Sequence, residues 1–396
     1  MTKKSKTHSL YLHFPFCLHL CNYCDFYKHL LRPENSKEKI SEFESKLNLQ
    51  ILQMKDYHQQ NNADLAELES FYMGGGTPSL WGKQGIQYLQ DLISSEFVLK
   101  PDVEWTLEVD PNTVSLEVLD LYFELGVNRI SVGVQSYDDD YLKLLDRIHQ
   151  KKDIEYLLNH LKTKKINFSV DLLIGIPLLE KARNIEDEIN SLIQFNPSHF
   201  SVYILSNRQN YPHLKKMPND ELVAEEYLKV CSILSKAGFH QYEVSNFSLP
   251  GFESKHNWNY WLSNNVAAIG PVATGYINLE KMTEKKGAIR YQFQATQNNL
   301  KETERLTEEQ LKMEEIYLLL RTKRGINLSL LIHKSNQIPE ALATLVNLWD
   351  EQGLIRYSAQ NVISFQHNLI LNSKGMIILD TLFIGLWSEL EQLNFT

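Results

Sequence analysis

Short apolar runs alternate with longer amphipathic segments from residue 10 to about residue 275. The apolar runs have the length of strands, and the segments between them have the length of helices. Strands separated by helices are typical of βαβ units and a mainly parallel sheet, so the pattern predicts an α/β fold. The strand candidates are LYLHF, SFYMG, EWTLEV, RISVGV, FSVDLLIG, HFSVYIL and HQYEVSN, and the helix candidates are residues 37–58, 83–95, 115–124, 152–163 and 184–194.

The pattern changes after residue 277. Residues 278–302 are polar, and we interpret them as a connection. Thr307 and Gln310 form a capping box, which predicts that a helix begins there. The remainder, including GLIRYS and NVISFQ, predicts helices and a short hairpin. We therefore expect a core in residues 1–277, a connection in 278–302 and a smaller α-rich C-terminal domain in 303–396.

Composition and charge narrow the class of protein. The chain carries a net charge of −9, whereas a nucleic-acid-binding surface normally needs a basic stripe. No apolar run approaches the length of a membrane span. The basic start MTKKSKTHS leads into an alternating stretch and not into the apolar region of a signal peptide. The sequence thus predicts a cytoplasmic protein with no nucleic-acid partner and no integral membrane segment.

Three of the four cysteines, Cys17, Cys21 and Cys24, lie within eight residues. The fourth, Cys231, follows helical spacing with apolar neighbours and is predicted to be a buried core thiol. In a reducing compartment such a cluster indicates metal binding and not a disulfide framework. Structural zinc would need a fourth ligand, for which His13 is the nearby candidate. An iron–sulfur cluster with four irons and three thiolates would keep one iron free of protein ligands.

The spacing C-x3-C-x2-C, with Tyr23 directly before the last cysteine, resembles the radical S-adenosylmethionine (SAM) superfamily. The glycine run GGGTPS and the polar residues of the later strands follow in the order of that family, and the resemblance covers essentially the whole chain. It implies a partial (β/α)6-type barrel, with a 4Fe-4S cluster held by the three clustered cysteines and SAM on the open iron. The residues that the resemblance places in the cofactor site are Tyr11, Tyr23, Gly75, Gly76, Thr77, Glu108, Gln135, Arg147 and Asp171.

Taken without the family, the same residues have plainer interpretations. The glycine run would be a tight turn, because glycine permits backbone conformations that other residues avoid. The polar side chains would be hydrogen-bond partners of one another inside the sheet.

Within the superfamily the chain is most similar to the oxygen-independent coproporphyrinogen III oxidase group, which contains true oxidases and a heme-chaperone branch. Phe26 stands where the oxidases have a further cysteine, and Cys17 comes too early for their N-terminal extension. YEVSNF and HNWNYW resemble the chaperone branch. Two features depart from it. GPVATG, with Val272 and Thr274, replaces the usual G-P-G-A-H run, and Asp110 in EVDP is more similar to the oxidases.

The resemblance therefore implies a heme chaperone that binds heme and transfers it to an acceptor protein, for which the family suggests a respiratory heme protein. His256 is the candidate heme ligand, since heme iron accepts imidazole, and the aromatic residues around it offer faces to the porphyrin. The other interpretation is that His256 caps a helix and that these aromatic residues are core. An oxygen-independent coproporphyrinogen III oxidase and a radical enzyme for an unrelated substrate stay open as alternatives. No catalytic residue is assigned, and the sequence leaves enzymatic turnover and a homodimer open.

Overall fold

A computed structural model describes residues 5–206, 211–279, 287–327, 339–357 and 368–392. The strands in these ranges are β1 (Ser5–Phe14), β2 (Phe16–Cys17), β3 (His29–Leu30), β4 (Ala63–Gly75), β5 (Leu99–Val109), β6 (Arg129–Gln135), β7 (Asn167–Ile174), β8 (His199–Ile204), β9 (His240–Gln241), β10 (Asn246–Ser248), β11 (Ala267–Ile269), β12 (Thr274–Asn278), β13 (Ala288–Phe293), β14 (Leu300–Leu306), β15 (Ile326–Asn327), β16 (Ile355–Tyr357) and β17 (Asn368–Leu371). The helices are α1 (Ser36–Gln60), α2 (Gly82–Glu96), α3 (Leu116–Leu125), α4 (Asp139–Leu144), α5 (Lys151–Lys164), α6 (Ile185–Ile193), α7 (Asp220–Lys236), α8 (Lys255–Trp261), α9 (Glu308–Leu320), α10 (Glu340–Glu351), α11 (Ser373–Ile377) and α12 (Leu379–Gln392).

Nine strands form one sheet in the order β11-β1-β4-β5-β6-β7-β8-β10-β9. The six strands from β1 to β8 in this order are parallel, and each is followed in the chain by at least one helix. β11 adds a parallel strand at one edge, and β10 and β9 add antiparallel strands at the other. Within the described ranges the two edge strands do not pair with each other, so the sheet stays open. The predicted partial (β/α)6 barrel is confirmed.

One strand candidate differs from the structure. HQYEVSN was predicted as a single strand, but β9 ends at Gln241 and the antiparallel β10 begins at Asn246. The reason is a turn at Glu243, whose buried carboxylate accepts the backbone N–H of Ser245 at 3.0 Å. A side chain that bonds its own backbone offers the chain an alternative to continuing the ladder.

The two faces of the barrel sheet have different chemistry. On β1, Phe14 lies on the outer face and contacts the ring of Phe43 in α1 at 5.4 Å between centroids. The alternate residue Ser9 faces inward and lies 2.7 Å from the hydroxyl of Ser70 on β4. Successive strand residues point to opposite faces, so the helices cover an apolar layer and the barrel interior is polar. Polar groups are thereby directed toward the space enclosed by the strands.

Residues 278–302 differ from the predicted connection. They contain β13 and the start of β14, which form an antiparallel three-stranded sheet with β12. Five consecutive residues of β14 are exposed, so its polar composition reflects an exposed strand and not a linker. The division of the chain into three domains stays a prediction.

The C-terminal part has its own core, to which Leu342, Trp349, Leu371 and Leu386 contribute. The predicted capping box is confirmed. Thr307 Oγ1 accepts a hydrogen bond from the backbone N–H of Gln310 at 3.2 Å, and the side-chain oxygen of Gln310 accepts one from the backbone N–H of Thr307. Within GLIRYS, Ile355–Tyr357 form β16, which pairs with β17, whereas NVISFQ lies outside the described residues. None of the helices in the described ranges combines the length and the apolar composition that crossing a bilayer requires.

Val272 has a backbone conformation that disfavours its side chain. Its φ is +55°, in the left-handed region, where a β-branched residue is strained. Glycine, the residue expected at this place in the run, adopts that conformation without the penalty. We expect Val272→Gly to raise the free energy of unfolding by about 1 kcal/mol. Chemical denaturation measures the change. Val272→Ala keeps a Cβ and should gain less, and an equal gain from both variants would contradict the argument from φ.

Candidate functional site

The carboxyl ends of the parallel strands open into a cavity of about 420 Å³. Its walls come from the loop after β1 and from the ends of β4 to β8. The structure brings eleven of the predicted site residues to this cavity: Cys17, Cys21, Tyr23, Cys24, Gly75, Gly76, Thr77, Glu108, Gln135, Arg147 and Asp171.

The three cysteines lie on a loop that two short strands close. β2, which ends at Cys17, pairs in parallel with β3, and the N–H of Cys24 donates to the carbonyl of Cys21 at 3.3 Å. Cys17 Sγ lies 3.8 Å from the hydroxyl of Thr77 in the glycine run. The loop therefore holds all three sulfur atoms against one wall of the cavity.

The donor set fits an iron–sulfur cluster. Burial raises the pKa of Cys17 to about 11 and also raises the pKa of Cys21, so each binds as a thiolate only when iron replaces its proton. Among the described residues, no three or more histidine, cysteine or acidic side chains are arranged to hold a single metal ion. Three soft thiolates on one short loop are instead the ligand type that iron–sulfur clusters use.

Gly75 allows the glycine run to approach the cavity. Its φ is +111°, and a Cβ atom at this position would lie 2.5 Å from the ring of His13. Its N–H donates to Glu108 Oε2 at 3.0 Å. The run is thus more than a surface turn, because its backbone is both a wall of the cavity and a hydrogen-bond donor within it.

Glu108 is a desolvated carboxyl in the lining of the cavity. Tyr72 donates its hydroxyl proton to Glu108 Oε1 at 2.9 Å. Burial, together with the nearby Asp171, raises the pKa of Glu108 to about 7, although the bonds from Tyr72 and Gly75 favour the ionised form. A bound cation would favour that ionised form further.

Asp171 and Gln135 complete the far wall. Asp171 accepts hydrogen bonds from the hydroxyls of Ser131 at 2.7 Å and Ser169 at 3.0 Å, and burial raises its pKa. Gln135 has φ of +67° at an irregularity in the pairing of β6 with β7. Such irregularities re-aim side chains, and this one turns Gln135 toward the cavity.

Arg147 connects the cysteine loop to Asp110, which in turn contacts His149. Its guanidinium lies 3.7 Å from Cys21 Sγ and 3.3 Å from the hydroxyl of Tyr23, and it forms an ion pair with Asp110. His149 Nδ1 lies 2.9 Å from the same carboxylate. Burial disfavours the charge of Asp110, but Arg147 and His149 hold its pKa below the usual range.

The sequence analysis did not identify Tyr72, and it named Asp110 only as a departure from the chaperone pattern. In the structure Asp110 lines the cavity and orients Arg147. Tyr72 alternates with buried apolar neighbours on β4. This alternation predicts that its side chain points into the barrel once the register of the strand is known.

Tyr11 does not line the cavity. Its ring lies behind the wall, 6.1 Å from the ring of Tyr72 and 6.2 Å from that of His256, and its hydroxyl is 3.2 Å from His13 Nδ1. Its contact with SAM stays a prediction.

His256 is also outside the cavity and is only 2 % exposed. Its Nδ1 lies 3.0 Å from the hydroxyl of Ser9 and 3.1 Å from that of Ser70, and its Nε2 lies 3.1 Å from the hydroxyl of Tyr260. Burial, with the positive Arg129 nearby, lowers the pKa of His256 to about 3, so the ring is neutral. Both ring nitrogens are thus engaged, and this geometry does not support His256 as a heme ligand.

The aromatic residues of HNWNYW lie where the barrel meets the C-terminal part. The guanidinium of Arg321 lies over the ring of Trp261 at 3.9 Å, and that of Arg324 lies over Trp258 at 4.7 Å. Cation–π contacts at these distances join the two regions. The motif therefore has a structural role in this arrangement.

The charge of the cavity favours a cationic ligand. Asp25, Glu108, Asp110 and Asp171 line it together with two basic residues, Lys28 and Arg147. SAM carries a sulfonium and an amino group, which suits this balance. At the mouth, Phe26 is 65 % exposed, so the entrance also offers apolar surface.

Comparisons with known proteins identify the family to which the chain belongs. The family model described as "Radical SAM superfamily" matches residues 11–187. The heme chaperone HemW of Bacillus subtilis is 31% identical over 382 residues, which cover 92% of this chain and 97% of that protein. The mitochondrial radical S-adenosyl methionine domain-containing protein 1 of Bos taurus is 30% identical, with 98% of this chain and 89% of that protein covered.

Among solved structures, the coproporphyrinogen III oxidase HemN of Escherichia coli superposes with a TM-score of 0.72 at 18% identity, covering 97% of this chain and 90% of that one. At this identity the likeness concerns the fold alone. The barrel, the cysteine loop and the matched model define the chain as a radical SAM protein. Within that superfamily, the chain belongs to the HemW family.

Proposed function

We propose that this protein is a heme chaperone that binds heme, carries a 4Fe-4S cluster with SAM, and transfers heme to an acceptor protein. The observation that carries the proposal is the similarity to HemW chaperones over nearly the whole chain, combined with a complete cysteine loop. Phe26 in place of a further cysteine supports the same branch.

In the proposed cofactor site, Cys17, Cys21 and Cys24 hold the cluster. Glu108 and Asp171 face the positive groups of SAM, and Arg147 faces a negative one, as the charges of the cavity suggest. When bound, a reduced cluster with SAM supplies one-electron chemistry. The residues of the chain orient the cofactor and exclude water from it.

Heme titration and transfer test the proposal. The cluster-reconstituted protein is titrated with hemin without oxygen, followed by difference absorbance, and the loaded protein is then mixed with apomyoglobin as acceptor. We expect saturable binding and transfer that is faster than from hemin-loaded serum albumin, because the carrier site must release its ligand. A protein that binds no hemin, or binds it and never releases it, would refute the chaperone function.

An oxygen-independent coproporphyrinogen III oxidase is the second candidate, and Asp110 favours it because EVDP is similar to the oxidase pattern. All the residues that the resemblance assigns to cluster binding also line the cavity. Anaerobic incubation with coproporphyrinogen III, reductant and SAM separates the two functions. Release of carbon dioxide with formation of protoporphyrinogen would establish turnover.

A further inference from the structure

A second cavity of about 250 Å³ lies on the outer side of the cysteine loop. Phe16 lines this groove, and Cys17, its neighbour on β2, lines the cluster cavity. Because neighbouring strand residues point to opposite faces, the two cavities lie on the two sides of a single strand. The other walls of the groove come from β3, from α1 and from the segments around Pro271 and Asn298.

The floor of the groove is apolar and aromatic. Phe16, Phe43 and Leu47 form it, and the rings of Phe16 and Phe43 are 5.9 Å apart in an edge-on arrangement. On one wall, the rings of Tyr27 and His29 are perpendicular, with 4.8 Å between their centroids. Such a surface accepts a flat apolar ligand.

The rim of the groove carries an excess of positive charge. Lys39 and Lys46 lie on α1, seven residues and roughly 10 Å apart along the helix axis, and Glu42 is the one acidic residue of the lining. Glu42 pairs with Lys46 at 2.6 Å, and Lys39 donates to the carbonyl of Leu30 at 3.1 Å. Each ammonium has three protons, so both retain donors for a ligand. In a chain with a net charge of −9, this balance favours an anionic ligand.

The groove also presents an imidazole. His29 is exposed, and the hydroxyl of Tyr27 lies 2.7 Å from its Nε2, which orients the ring. In the described part of the chain no hydrogen bond to Nδ1 of His29 is present. Partial burial, and to a smaller extent the positive charge of Lys39, lower the pKa of His29. The lower pKa favours the neutral imidazole, which is the form that binds iron.

We infer that this groove is the heme site, with His29 as an iron ligand and with Lys39 and Lys46 facing the two propionates. The inference rests on the proposed chaperone function and names the site that this function needs. The groove encloses one part of a porphyrin and leaves the rest open to solvent, which suits a carrier that must hand its ligand to another protein. The cluster cavity, with four carboxylates and two cations, has the opposite charge balance.

The test uses the full-length, cluster-reconstituted protein and hemin without oxygen. We expect His29→Ala to weaken hemin binding at least about tenfold and to change the Soret band, because the iron loses a ligand. His240→Ala is the matched control, since His240 is also exposed but lies on β9 at the opposite edge of the sheet, and it should behave as wild type. The double variant Lys39→Glu/Lys46→Glu should weaken binding and reverse its salt dependence.

Iron content and SAM binding show whether each variant is folded, and neither should change in His29→Ala. If His29→Ala and the double lysine variant bind hemin as wild type does, the groove is not the heme site, and the chaperone function stands. If Phe26→Ala loses hemin while His29→Ala keeps it, heme binds at the mouth of the cluster cavity instead. Wild-type protein that binds no hemin would overturn both the inference and the proposed function.

Discussion

Replacing Cys21 with alanine is expected to abolish the 4Fe-4S cluster and, with it, the binding of SAM. Cys21 supplies one of the three thiolates, and apart from His19 the cysteine loop contains no other thiol or imidazole that could replace it. His19 already lies 3.0 Å from the carboxylate of Asp146. Two protein thiolates are one fewer than the three that the cysteine loop offers to the cluster. Iron content per chain and the electron paramagnetic resonance spectrum of the dithionite-reduced protein measure the loss.

Cys231→Ala is the matched control for this prediction. Cys231 is a buried thiol as well, but it lies in α7 beside Tyr227 and far from the cysteine loop in the chain. Its replacement should cost a small amount of stability, from the lost packing of one sulfur atom, and should leave the iron content unchanged. Equal iron content in Cys21→Ala and Cys231→Ala would contradict the assignment of the cysteine loop.

Glu108→Gln is expected to weaken SAM binding and to stabilise the protein without SAM at alkaline pH. The pKa of Glu108 is about 7 in the folded protein and near its ordinary value in the unfolded chain. Its contribution to stability is therefore complete at low pH and is lost as the pH rises through 7. At pH 8 this loss amounts to about 3 kcal/mol relative to acidic pH, because the folded protein then holds the charge in a desolvated site. Glutamine is neutral at every pH and avoids this cost.

The same titration sets the pH dependence of SAM binding. Below pH 7 the carboxyl must lose a proton before it faces a cationic ligand, so the affinity of the wild-type protein should fall as the pH decreases. In Glu108→Gln the affinity should be lower and this part of the pH dependence should disappear. Equilibrium dialysis with SAM at pH 6 and pH 8 measures both effects.

Glu188→Gln separates this role from that of buried carboxylates in general. Glu188 is buried too, but it pairs with Arg183 at 2.6 Å and lies outside the cavity lining. Removing its charge leaves a buried guanidinium without that partner, so this variant should lose stability at pH 8 while its SAM affinity stays unchanged. Glu108→Gln and Glu188→Gln should thus shift stability in opposite directions. A loss of stability at pH 8 in both would contradict the cost assigned to Glu108.

The fold was largely predictable because its signals are local. The period of the apolar residues located the parallel strands and the helices between them, and the capping box at Thr307 located the start of α9. Local patterns gave a wrong prediction where the exposure of a segment depends on residues that are distant in the sequence. β14 has the polar composition of a linker because five consecutive residues of it are exposed to solvent. It is nevertheless a strand, because it pairs with β13.

The candidate site shows the same division. Spacing alone grouped Cys17, Cys21 and Cys24, because a loop of eight residues keeps its ends close whatever surrounds it. The partners of Glu108 lie on another strand and in the glycine run, and those of His256 lie on β1 and β4. Residues that meet across a sheet share no local signal, so the sequence pattern could not decide between a heme ligand and a buried, fully hydrogen-bonded histidine.

The sequence by itself determined the class of fold, the cysteine loop and the family, since each depends on residue type and on spacing along the chain. Only the tertiary structure decided that Asp110 pairs with Arg147, that Tyr11 and His256 lie behind the cavity, and that His29 shares a positively charged groove with α1. The physical reason is that hydrogen bonds, ion pairs and cavities depend on distances in space, which the register of the parallel strands sets and local periodicity does not record.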